Sequence, residues 1–172
     1  MFDGASHTTP CLPERLVARD ARVYFTCVAA VGSSWIGAIW PDGTYSRVAG
    51  GGSDTNDGAM AENLRLGNPT EIDVDREGNL IVFDEQARYV WRIQPNGVSE
   101  RVFGNGGFGF ATEGAPARGA PAGDIRAIAL QDDGALIIQD AQSQRLRRIG
   151  PDGRVRTIAG GGTEDIALAS AA

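Results

Sequence analysis

Glu71, Asp73 and Asp75 alternate with Ile72 and Val74 along one short segment. A strand, with its period of two, puts the three carboxylates on one face and the two aliphatic side chains on the other. Such a row suits two kinds of chemistry. It can collect a divalent cation, calcium being the natural choice for oxygen donors, or it can bind a polar ligand. Arg15, in the first apolar segment of the chain, offers the same acids a plain ion pair. Arg15, Glu71 and Asp73 are therefore the candidate binding residues, with Glu71 and Asp73 the candidate metal ligands. No residue is given a catalytic role.

Other residues narrow the choice. His7 is the only histidine, which sets aside histidine-based zinc sites and multi-histidine catalysis. Gly50-Gly51-Gly52 and Gly160-Gly161-Gly162 have no Lys-Ser/Thr after them and open no predicted helix, so they read as strand terminators. Asp54-Thr55-Asn56-Asp57-Gly58 looks like the opening of a calcium loop. Arg65 stands where that loop needs a bidentate acid, and a solvated loop is the better reading. Asp84 and Asp140 each end an apolar run, where a carboxylate accepts backbone N–H groups in the following turn. Arg145, Arg147, Arg148, Arg154 and Arg156 crowd together, but a period of two divides them between faces and no aromatic residues interleave.

Composition agrees. The chain has 172 residues, 42% hydrophobic and 22% charged, enough for one domain with a buried core. Its 24 glycines and 8 prolines point to short strands and tight turns. Sixteen basic residues, all arginine, face 22 acids for a net charge of −6, which disfavours nucleic acid as a partner. Cys11 and Cys27 come close across a predicted hairpin, and two inert thiols are expected, a bond depending on geometry. Met1 to Pro10 has neither a basic n-region nor an apolar core, so no signal peptide is read there. An extracellular or periplasmic place would follow only if the chain belongs to a longer secreted protein. Val23 to Trp40 is uncharged, but Thr26, Gly32, Ser33, Ser34 and Gly37 interrupt it, and no membrane span is expected.

What positions these residues is a repeat. The turn Pro41-Asp42-Gly43 recurs as Pro95-Asn96-Gly97 and Pro151-Asp152-Gly153. Proline presets the first turn position, Asp or Asn suits the next, and Gly43, Gly97 and Gly153 take the left-handed one. Gly78 to Asp84 matches Gly134 to Asp140 without a gap. Each copy reads as four short antiparallel strands, at about 13–50, 69–106 and 125–160. The spacers between them, 51–68 and 107–124, are expected to be irregular, with at most a short helix near Ala59 to Leu66. A four-stranded unit that is apolar on both faces must stack on copies of itself, and radial stacking makes a propeller. The fold class is all-β.

Asp84 to Ile93 and, more closely, Asp140 to Ile149 resemble the core of the NHL repeat, which reads V-x-D, then N-x-R-I, then a Pro-Asp-Gly turn. Pro151-Asp152-Gly153 with Thr157 to Gly162 resembles the long bacterial and teneurin-like form. The likeness covers nearly the whole chain from Asp3-Gly4-Ala5 onward. Ala87 and Ser143 replace the asparagine of the family, Tyr89 replaces its arginine, and Cys27 takes the aspartate position of the first copy. The resemblance implies a propeller whose first strands line a central channel, in rings usually of six blades.

It implies two functions. The favoured one is a non-catalytic scaffold whose loops bind a protein, glycan or small ligand. The alternative is a metal-dependent hydrolase, because gluconolactonase-like propellers hold a divalent metal with inner-strand acids, here Glu71 and Asp73, or a lyase. Three blades cannot close a ring. The expectation is that the remaining blades belong to a longer chain or, second, that two copies close head to tail. The faces left open would hold Leu16, Ala18, Val23 and Phe25 at one end, with Ile128, Leu130, Leu136 and Ile138 at the other.

Overall fold

The computed structural model describes residues 11–29 and 33–161. Asp3-Gly4-Ala5, His7 and Gly162 lie outside them. Within the described residues, twelve strands form three antiparallel sheets in which strand order follows chain order. Blade 1 holds β1 (Leu12–Arg19), β2 (Arg22–Val28), β3 (Trp35–Ile39) and β4 (Tyr45–Gly50). Blade 2 holds β5 (Pro69–Val74), β6 (Leu80–Asp84), β7 (Tyr89–Ile93) and β8 (Ser99–Phe103). Blade 3 holds β9 (Ile125–Leu130), β10 (Leu136–Asp140), β11 (Arg145–Ile149) and β12 (Val155–Gly160). Among the described residues the only helical turns are Ala61–Asn63 and Ala117–Gly119, both 3₁₀. None of the described helices is long and apolar enough to cross a membrane.

The repeated turn works as its residues dictate. The N–H groups of Gly43, Gly97 and Gly153 bond back to the carbonyls of Trp40, Gln94 and Gly150 at 2.8–2.9 Å, with φ of +83°, +87° and +67°. Asp42, Asn96 and Asp152 each accept the N–H two residues on. At the end of each outer strand a second glycine meets a backbone carbonyl. A Cβ on Gly104 would lie 2.1 Å from the carbonyl oxygen of Arg88 at φ +100°, so no other residue fits there.

The core lies between blades, not within them. The apolar run of β6 is buried throughout and divides its side chains. Leu80 and Val82, with Trp91 and Ile93, meet Tyr24, Ile36 and Ala38 of blade 1. Ile81, Phe83 and Val90 meet Leu136, Ile138 and Ile149 of blade 3. Each large side chain so buried contributes about 1.5–3 kcal/mol. The first strands lie side by side, β5 touching both β1 and β9.

The spacers are more structured than their composition suggests. Each lays a short edge along the outer strand of the blade that follows it. Gly58 N–H donates to Ser99, and Ser99 N–H to Ala59, at 2.8 and 2.9 Å; Gly114 and Ala115 repeat this with Val155 at 2.8 and 3.0 Å.

Two expectations need correction. Cys11 and Cys27 are not free thiols: they form a disulfide, their Cα atoms 5.7 Å apart. The β1–β2 register sets Pro13 opposite Cys27 and so brings Cys11 alongside. The open face of blade 3 was also assigned to the wrong parity. Leu136 and Ile138 are buried against blade 2, with Ile128 and Leu130 packed beside them. Ile137 and Gln139, one residue along, point outward with Leu146, since a shift of one residue exchanges the faces of a strand.

Candidate functional site

The acidic row of β5 serves three separate purposes. Glu71 Oε1 accepts from Arg15 Nε at 3.0 Å, and the same Nε lies 3.2 Å from the Thr70 carbonyl. Arg15 is largely exposed and Glu71 is mostly covered, at 58% and 15% side-chain exposure, so this pair ties blade 1 to blade 2 at modest strength. Asp73 does not face a cation. Its Oδ1 accepts the N–H of Val74 at 2.7 Å, and its Oδ2 accepts the N–H of Leu130 at 2.9 Å. It fastens β5 to β9. Asp75, 7% exposed, accepts both the backbone N–H and the side-chain amide of Asn79 at 2.7 Å.

Such a donor set does not suit a metal. Both Asp73 oxygens are taken by N–H groups and Glu71 by a guanidinium, and among the described residues no three His, Cys, Asp or Glu side chains converge. The Asp54–Gly58 segment spends its acids likewise. Asp54 accepts from Asn56, and Asp57 accepts the N–H of Arg101 and pairs with Arg118.

The other acids close loops. Asp84, fully buried, accepts three backbone N–H groups: Gly67 at 2.8 Å, Asn68 at 3.0 Å and Ala87 at 3.1 Å. Asp140 accepts the N–H and hydroxyl of Ser143 at 3.1 and 2.6 Å.

Four of the five crowded arginines are also accounted for. Arg147 is 4% exposed and reaches the Ala111 carbonyl, Glu113 and Thr157. Arg148 pairs with Asp133, Arg154 donates to the Gly114 carbonyl, and Arg156 pairs with Asp152. Glu113 takes the part in blade 3 that Asp57 plays in blade 2, accepting the N–H of Thr157 at 3.0 Å. Sequence reasoning missed this clasp, although the repeated Asp57-Gly58-Ala59 and Glu113-Gly114-Ala115 were its signal.

Asp152 supplies a pH test. The hydrogen bond from Arg156, then that from the backbone of Arg154, lowers its pKa from 3.8 to about 2. A depressed carboxylate adds stability above its unfolded pKa, and that stability fades as pH falls through the folded value. The Asp152 carboxyl should titrate near 2 by carbon-detected NMR, and Arg156→Gln should move the midpoint upward. An unchanged midpoint would discard the pair.

One hollow remains. Between blades 2 and 3 lies a crevice of about 180 Å³, lined by Ile81, Arg92, Glu100, Leu130, Leu136 and Ile149 and rimmed by the turn at Gly150–Gly153. Arg92 Nη1 stands 3.5 Å from Glu100, while its Nε is buried without a hydrogen-bond partner. A buried donor with no acceptor is costly.

Known structures place this architecture. A protein of unknown function from Bacteroides thetaiotaomicron aligns with 81% of the chain at TM-score 0.59 and 18% identity. An auxiliary nutrient binding protein from the same organism aligns with 78% at TM-score 0.59 and 18% identity. A candidate gluconolactonase aligns with 84% at TM-score 0.53 and 15% identity. Three four-stranded antiparallel blades, each in chain order, settle the fold. It is a run of β-propeller blades. The propeller segment spans 33%, 36% and 46% of the lengths of those three proteins, and at such identities the likeness is one of fold. No family model matches the sequence. No curated protein matches it either.

Proposed function

We propose that this NHL-type propeller segment is a non-catalytic binding module. It recognises a protein or small-molecule ligand through the crevice between blades 2 and 3 and the turns beside it. One observation carries the reading: Arg92 has a buried, unpartnered Nε–H in a crevice that it lines with the apolar Ile81, Leu130, Leu136 and Ile149 and with the charged Glu100, Arg101 and Arg118. A group pairing a short apolar body with an anionic or acceptor head supplies what this crevice lacks, as a small carboxylate or an acidic side chain of a protein partner would. The NHL assignment is supported by Val82-x-Asp84 and Ile138-x-Asp140, each followed by its Pro-Asn/Asp-Gly turn.

The test is an NMR titration of the full chain with hexanoate and with a short acidic peptide. Shifts should gather at the Arg92 side chain, Leu130 and Gly150–Gly153, and Arg92→Gln should abolish them. Asp73→Ala should lower the melting temperature and leave those shifts in place. Lactone hydrolysis that needs calcium and disappears in Glu71→Gln would replace this reading with the metal-dependent hydrolase.

A further inference from the structure

Two Asn-Gly pairs occur in the chain, Asn96-Gly97 and Asn105-Gly106, and the fold treats them differently. An asparagine before glycine can close on itself. The backbone nitrogen of the next residue attacks the side-chain Cγ, and glycine, with no Cβ, leaves that approach open. Of the six asparagines, the other four precede Asp57, Leu64, Pro69 and Leu80. Pro69 has no N–H to give up, and the other three carry a side chain beside the nitrogen that must approach.

Both pairs hold the reacting carboxamide in the same way. Asn96 Oδ1 accepts the N–H of Val98 at 3.0 Å, and Asn105 Oδ1 accepts that of Gly107 at 2.8 Å. Such a bond folds the carboxamide back over the glycine peptide between them and draws electron density from Cγ.

The nucleophile separates the two. Gly97 N–H donates to the Gln94 carbonyl at 2.8 Å, and the Gly97 carbonyl accepts the N–H of Ala61 at 2.6 Å. Its nitrogen cannot lose a proton or swing toward Cγ without breaking the turn. Gly106 is exposed and lies past the end of β8. Among the described residues neither its N–H nor its carbonyl has a hydrogen-bond partner.

We infer that Asn105 is a site of spontaneous deamidation and that the fold protects Asn96 from it. Hydroxide removes the Gly106 N–H proton, and the nitrogen bonds to Asn105 Cγ as the Cγ–Nδ2 bond breaks. Nδ2 leaves as ammonia, taking a proton from water, and a cyclic succinimide remains. Water then opens the ring. Cleavage between Cγ and nitrogen gives aspartate, and cleavage at the backbone carbonyl gives isoaspartate, with the main chain routed through Cβ. Overall one water is consumed and one ammonia released, with no oxidant or reductant.

The lost amide is one that the spacer uses. Asn105 Nδ2 donates to the Gly119 carbonyl at 2.9 Å, tying the end of β8 to the 3₁₀ turn Ala117–Gly119. A carboxylate has no hydrogen to offer that carbonyl and repels it. Arg118 of the same turn lines the crevice between blades 2 and 3, so the modification falls at its edge.

Tryptic mapping of the full chain, aged in mildly alkaline buffer, tests this. Cleavage at the arginines puts the two pairs in separate peptides, Ile93 to Arg101 and Val102 to Arg118. The mass gain of an amide turned to a carboxyl should collect in the second peptide about tenfold faster than in the first, since freeing Gly97 costs a hydrogen bond. Isoaspartyl methyltransferase should label the second peptide, and Asn105→Ser should remove the label. Chain aged in guanidinium chloride is the unfolded reference, in which both peptides should convert at similar rates. Equal rates in the folded chain, or a faster gain in Ile93 to Arg101, overturns the inference. So does a preference for Asn105 that persists undiminished in guanidinium chloride, because it then comes from the sequence and not from the fold. No gain in Val102 to Arg118 of the folded chain, over a period in which the unfolded reference converts, overturns it as well.

Discussion

Asp84→Ala is expected to cost about 3 kcal/mol, because buried donors stripped of their acceptor cost roughly 1–3 kcal/mol each and water reaching the gap recovers part. The carboxylate is fully buried and takes three backbone N–H groups from two segments. Gly67 and Asn68 lead into the inner strand of blade 2, and Ala87 opens the turn out of β6, so one side chain fixes both ends of the blade. For a domain of this size the midpoint should fall by roughly 6–12 °C. Asp84→Asn keeps one acceptor oxygen and should lose about half as much. Asp140→Ala, removing one backbone N–H bond and one from a hydroxyl, should fall below Asp84→Ala as well. Urea unfolding of the three variants gives the order directly, and a loss under 1 kcal/mol for Asp84→Ala would remove its role as the clasp.

Legibility in the sequence divided by the range of the interaction. The Pro-Asp-Gly turns and the strand before each were readable because their chemistry is local: Asp42, Asn96 and Asp152 bond within two residues. Asp84 was readable as a turn aspartate through its bond to Ala87, three residues on. Its bonds to Gly67 and Asn68, across the blade, were not. The acidic row of β5 misled for the same reason. Nothing in the spacing of Glu71, Asp73 and Asp75 tells that one meets Arg15, another the backbone of Leu130 and the third Asn79, because two of those partners lie on other blades. The open face of blade 3 failed on parity. Both Ile137 and Ile138 are apolar, so alternation alone could not say which one looks outward.

Reducing the Cys11–Cys27 disulfide, or replacing Cys27 with alanine, is expected to cost about 3 kcal/mol, the entropy of closing a loop of this length. The residues are 16 apart. Their place in the repeat explains why a bond stands there. Pro13 opposite Cys27 matches Pro69 opposite Asp84 and Ile125 opposite Asp140. Cys11 therefore occupies the position of Gly67 and Gly123. In blade 2 that junction is held by the Asp84 carboxylate on the N–H of Gly67; blade 1 holds it with a covalent bond. Blade 1 also takes more residues to pass from its second strand to its third, from Val28 to Trp35, where blade 2 goes from Asp84 to Tyr89. The parent melting point should drop by roughly 6–12 °C in reductant, while Cys27→Ala should start low and ignore reductant. Cys11→Gly with Cys27→Asp rebuilds the clasp of blade 2 and should recover part of the loss that Cys11→Gly with Cys27→Ala retains. Equal melting points for those two double variants would show that the carboxylate and the disulfide are not interchangeable solutions to one junction.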